Sequence, residues 1–113
     1  MAYRQQQFPT AIQVFQQVAN NASDETGAEA QYLLAEIYYR QKKHQQSLET
    51  LFDLNKRYTN YEKWRGRSFL LIADNYIAMD EIFQARATLQ SLIDKSPDPE
   101  VVSEARRKLA SLP

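Results

Sequence analysis

The segment LLAEIYYRQKKHQQSLETLFDL, beginning at Leu33, returns as LIADNYIAMDEIFQARATLQSL beginning at Leu71. A shift of 38 residues lays Leu34 on Ile72, Ala35 on Ala73, Glu36 on Asp74, Tyr38 on Tyr76, Ser47 on Ala85, Leu51 on Leu89 and Leu54 on Leu92. Small residues meet small ones, and aromatic meets aromatic. A partial third copy lies upstream, where Phe8, Ala11, Phe15 and Val18 stand 36 residues before His44, Ser47, Leu51 and Leu54. A fixed period of about 20 to 50 residues marks stacked repeats, because one such unit cannot bury its apolar face alone. The core is then shared between neighbours, and the exposed surface is an extended row.

The period within each copy is helical. Ala11, Ile12, Phe15, Val18 and Ala19 fall on one helix face, and Pro9 is tolerated in a first turn, which predicts a helix from about Pro9 to Ala19. NNASDETG reads as a loop in which Ser23, Asp24 or Thr26 can cap the next helix. Helices are expected over about Ala28–Gln41, His44–Tyr58 (through Leu48, Leu51, Phe52 and Leu54), Tyr61–Met79 and Ile82–Lys95. The short connection at Lys42 and Lys43 makes the second and third an antiparallel pair. Gly66 within a helix costs about 1 kcal/mol relative to Ala, which points to a close packing contact or a bend. Pro97 and Pro99 end the fifth helix. The last, PEVVSEARRKLASL, has a thin apolar stripe with Arg106, Arg107 and Lys108 outside it, as in a cap.

The whole fits one all-α domain, residues 1–113, with segments 8–20, 28–58, 61–95 and 99–112 as its parts. Two glycines and the absence of Asn-Gly or Asp-Gly speak against hairpins. With no cysteine there is no thiol nucleophile, disulfide or cysteine zinc site. Fourteen basic and fourteen acidic residues cancel, so no global field draws the chain to nucleic acid or an anionic membrane. No apolar run reaches the roughly 20 residues that span a bilayer.

Ala35–x–x–Tyr38 and Ala73–x–x–Tyr76 in first helices are followed by Phe8, Ala11, Phe15, Val18; by His44, Ser47, Leu51, Leu54; or by Ile82, Ala85, Leu89, Leu92 in second helices. Small–x–x–aromatic, then large–x–x–small–x–x–x–large–x–x–apolar, resembles the tetratricopeptide repeat over residues 8 to 97. The resemblance implies a right-handed α-solenoid of about six helices: one second helix of an incomplete repeat, two helix pairs and a C-terminal capping helix. The sequence departs from the family where Gln31 and Phe69 replace its tryptophan, Lys42 and Asp80 replace its turn glycine, and the period is 36 to 38 residues instead of about 34. The longer period is similar to that of bacterial envelope-associated members, which is the only ground for expecting a periplasmic location. Because the first copy starts at its second helix, the chain is expected to be a segment of a longer array or to pair with another copy.

In this family first helices line a concave groove. The resemblance therefore implies that Glu29, Tyr32, Glu36, Tyr39 and Arg40 of one repeat and Arg67, Leu70, Asp74, Ile77 and Ala78 of the next face a protein or peptide partner, with no catalysis, cofactor or metal. Glu29, Glu36 and Asp74 would repel a peptide C-terminal carboxylate. Self-association through the first helix is the alternative. A third reading comes from Lys56, Arg57, Lys63, Arg65 and Arg67 interleaved with Tyr58, Tyr61 and Trp64, a pattern able to hold single-stranded nucleic acid by charge and stacking. Its competitor is a solvated turn whose aromatics belong to the core. His44 is alone, with no second ligand at metal spacing. The pairs Asp24–Glu25 and Asp80–Glu81 sit at turns with no nucleophile beside them.

Overall fold

The computed structural model describes residues 8–21 and 24–113. Six helices carry them: α1 Phe8–Asn21, α2 Glu25–Arg40, α3 His44–Arg57, α4 Glu62–Ala78, α5 Ile82–Lys95 and α6 Pro99–Ala110, with no strand among the described residues. The all-helical repeat architecture is the one expected. One boundary moves: Asp24 accepts a hydrogen bond from the Thr26 amide at 3.1 Å, so α2 starts three residues before Ala28 and takes Gly27, which is buried, into its first turn. Of the other candidate caps, Thr26 lies inside the helix, and Ser23 lies outside the described residues, as does the packing of the Phe8 side chain. Asp98 caps α6 in the same manner, through the Glu100 amide at 3.0 Å.

The two intra-pair turns are built alike. Lys42 and Asp80 have φ of 62° and 60°, and each stands one residue past a helix C-cap. The Lys43 amide reaches back to the Tyr38 carbonyl at 2.9 Å and the Glu81 amide to Tyr76 at 2.7 Å, the Schellman closure that places its left-handed residue where glycine costs least. The chain meets that backbone demand without glycine.

Burial follows the repeat. Ala35, Leu48, Leu51, Leu71 and Ile72 form one core cluster between the first pair and α4. Ala73, Leu89, Leu92, Val101 and Ala105 form its successor between the second pair and α6. Phe52 does not join the core; it is 44 % exposed. Helix α2 touches α4, and α4 touches α6, whereas the backbones of α1, α3 and α5 stay apart. A row whose inner members touch and whose outer members splay is curved, with α2, α4 and α6 on the inside.

Gly66 is the close contact its position suggests. A Cβ there would lie 3.0 Å from Val101 Cγ2 and 3.4 Å from Cγ1, so α6 docks against the bare backbone of α4. Gly66→Ala trades a helix-propensity gain of about 1 kcal/mol against that crowding. Gly66→Val is expected to cost about 1–3 kcal/mol by overpacking, read as a lower urea midpoint, and Val101→Ala in the same chain should restore most of it. A Gly66→Val chain as stable as the parent would mean that α6 docks elsewhere.

Candidate functional site

Along the inner row, side chains four residues apart on each helix face a common cleft of about 390 Å³. Tyr32, Leu33 and Glu36 come from α2, Arg67, Leu70, Leu71 and Asp74 from α4, and Glu104 and Lys108 from α6. Five residues expected in a groove, Tyr32, Glu36, Arg67, Leu70 and Asp74, are thereby brought together. The others are dispersed. Glu29 and Ala78 are exposed away from the cleft, and Ile77 is half-buried near the end of α4. Tyr39 packs on the first core cluster and meets the His44 ring edge-on at 5.4 Å. Arg40 is exposed at the end of α2, and its charge acts on Glu36.

Lys108 stands differently from expectation. Read as part of a polar outer face, it is only 23 % exposed and donates to Asp74 Oδ1 at 2.8 Å, with Glu104 on its other side. It thus closes the cleft and neutralises one of its acids. The signal was present in spacing: Glu104 and Lys108 follow Leu70 and Asp74 by 34 residues, the family's usual period, so α6 also takes a first-helix position.

The cleft is electrostatically mixed. Burial raises the Glu36 carboxyl above its ordinary range, against the opposing pull of Arg40 and Arg67. A carboxyl whose folded pKa is raised loses stability as pH climbs from its unfolded value through the folded one, so ionised Glu36 disfavours the empty cleft. Burial raises the phenols of Tyr32 and Tyr39 as well, and Asp74 adds to both. With Asp74 paired to Lys108, Glu36 is the acid left to meet an arriving cation, and burial has already stripped it of hydration.

Around the Lys56–Arg67 turn the aromatics belong to the core. Tyr58 and Trp64 are buried with Ala28 and Leu54, and Trp64 Nε1 donates to Glu25 at 3.1 Å. Lys63 and Arg67 lie against the Trp64 ring at 5.1 and 5.2 Å, Arg65 pairs with Glu62, and Arg57 turns to the Ala19 carbonyl. Tyr61 is half-buried and packs against the same cluster. His44 faces Asn75 at 3.0 Å. Among the described residues no three His, Cys, Asp or Glu side chains gather as a metal site, and no helix is long and apolar enough to cross a membrane.

Comparison with protein-family models gives two matches, both described as tetratricopeptide repeat, over residues 2–68 and 67–99. The chain belongs to the tetratricopeptide repeat family. No curated protein matches it, and no solved structure does. Tetratricopeptide repeats are generally non-catalytic protein-interaction modules. The replacement of the family's tryptophan has a structural counterpart: Gln31 bonds Asp53 at 2.8 Å and the Thr50 carbonyl at 2.9 Å, while Phe69 packs between the two core clusters.

Proposed function

We propose that this tetratricopeptide repeat chain is a scaffold or adaptor that holds an extended or helical peptide of a partner protein in the inner-row cleft. The observation that carries this reading is the juxtaposition of Tyr32, Glu36 and Leu70 with Arg67 and Asp74 across α2 and α4. Tyrosine supplies contact area at low entropic cost, and flanking charges set register. With Asp74 engaged by Lys108, Glu36 is the acid that selects, so the preferred peptide alternates an apolar side chain with Lys or Arg. A location in the bacterial envelope belongs to the same reading and rests on repeat length alone.

Selection from a displayed random-peptide library should enrich such basic-apolar sequences. Their affinity should fall about tenfold or more on Glu36→Lys, and also on Tyr32→Ala. Peptides that bind the parent and both variants equally would sink the assignment of this cleft.

One observation favours self-association as a second reading. Ile12, Phe15 and Val18 are half-buried, whereas their counterparts Leu48, Leu51 and Leu54 are buried, and Val14 beside them is 47 % exposed. Light scattering over a wide concentration range checks it: a mass that stays monomeric removes this reading.

A further inference from the structure

A crevice larger than the inner cleft lies on the other side of the array. About 760 Å³ in volume, it runs between Glu62, Arg65, Gly66 and Phe69 of α4 and Ala87, Thr88, Ser91, Leu92 and Lys95 of α5, and Pro97 closes one end. Its meaning comes from comparison with the first pair. Subtracting 38 carries Phe69, Ala87, Thr88, Ser91 and Lys95 onto Gln31, Glu49, Thr50, Asp53 and Arg57, which line the corresponding crevice between α2 and α3. There the polar groups are knitted together around a smaller space of about 340 Å³. Gln31 donates to Asp53, and Arg57 bonds Gln31 at 3.3 Å, the Ala19 carbonyl at 2.9 Å and Asp53 at 3.5 Å.

In the second pair the knitting is gone while the backbone arrangement persists. Thr88 still bonds the Gln84 carbonyl as Thr50 bonds Gln46, both at 2.8 Å. Phe69 replaces the amide hub, and Ala87 and Ser91 replace both acids. Lys95, the heir of Arg57, forms no ion pair among the described residues. Arg65 reaches Glu62 through Nη1 at 3.0 Å, yet its buried Nε has no acceptor. Phe52, in the place of Gln16 of the first crevice, is an exposed aromatic.

We infer that this crevice binds a peptide segment carrying a large apolar side chain next to an acidic one. The apolar group would lie on Phe69 and the edge of Leu92, and the carboxylate would answer Lys95 and Arg65. The seven helical steps along α4 from Glu62 to Phe69 span about 10 Å, the length of roughly three extended residues, so a peptide fits along the crevice. The sign is opposite to that of the inner cleft, and the two sites stand or fall separately.

The test is a ¹⁵N NMR titration of the whole chain with the capped tetrapeptide acetyl-Asp-Phe-Glu-Leu-amide, compared with octanoate. Saturable shifts are expected at Gly66, Thr88 and Ser91. Ala87→Glu with Ser91→Asp, both at exposed positions, restores the acids of the first pair and should weaken binding about tenfold or more. Lys95→Glu, also exposed, is the second variant and should do the same. The inference is overturned by unchanged affinity in the variants, by shifts confined to Glu36 and Asp74, by shifts with octanoate but not with peptide, or by no shift at millimolar peptide.

Discussion

Trp64→Ala should lower the stability of this chain by about 3–5 kcal/mol, the usual cost of removing a buried tryptophan. Trp64 is 5 % exposed in the first turn of α4, where Ala28 of α2, Leu54 of α3 and Tyr58 at the C-cap of α3 converge. Tyr32 tilts against it at 5.7 Å. Truncation therefore opens a cavity at the junction of both helix pairs and strips Glu25 of its indole donor. Domains are held by only about 5–15 kcal/mol, so the expected loss is a large part of the total. At about 4–8 °C per kcal/mol for a chain of this size, Tm should fall by at least about 12 °C. Circular dichroism is the right probe, since the variant lacks the only tryptophan. Lys63→Glu, on the exposed side of the ring, should stay within about 0.5 kcal/mol of the parent. If the two variants were equally mild, Trp64 would not be the core residue described, and a surface role for the basic-aromatic turn would return.

The helices and their inward faces were legible because stacking forces the same residue sizes at the same places. Leu51 and Leu89 are buried for one reason, and a 38-residue shift exposes it. Phe52 escaped because helical period alone assigns it to the edge of an apolar stripe, whereas the splay of α3 from α5 leaves that edge open. In the cleft, Tyr32, Glu36, Leu70 and Asp74 followed from position in the repeat. Lys108 did not, since a basic residue near a helix C-terminus is ordinarily solvated; its 34-residue spacing from Asp74 hints at a place in the inner row, and the 2.8 Å contact establishes the closure. The start of α2 turned on a choice among several possible caps, which hydrogen-bond geometry settles in favour of Asp24. The open crevice of the second pair is an effect of substitutions at Phe69, Ala87 and Ser91. No single one of them is unusual; what matters is the joint loss of a network.

The second large effect is expected at Asn75, where the repeat breaks its own apolar rule. Ile37 occupies the equivalent buried place in the first pair, and Ala85 is the counterpart of Ser47. Asn75 is fully buried and donates to Ser47 Oγ at 2.9 Å and to the Leu71 carbonyl at 3.0 Å. Ser47 Oγ in turn donates to the Ala35 carbonyl at 2.8 Å. Since Asn75 Oδ1 can only accept, His44 must carry its proton on Nδ1 to complete the contact at 3.0 Å. Asn75→Ala should cost about 2–4 kcal/mol, because it leaves a cavity and removes the donor to the buried Ser47 hydroxyl and the acceptor of the half-buried His44 N–H. Ser47→Ala combined with Asn75→Ile installs the residues that the other copies use; the half-buried His44 can turn its N–H to water, and replacing the two buried partners by apolar groups can be nearly neutral. That double variant should lie within about 1 kcal/mol of the parent, giving a favourable coupling in a double-mutant cycle. A double variant as unstable as the sum of its singles would show that the cost lies in cavities alone. The network ties α2, α3 and α4 together directly behind the cleft. A chain that keeps its stability but shifts the amides of Glu36 and Asp74 would locate the value of these polar groups in fixing the angle between the pairs.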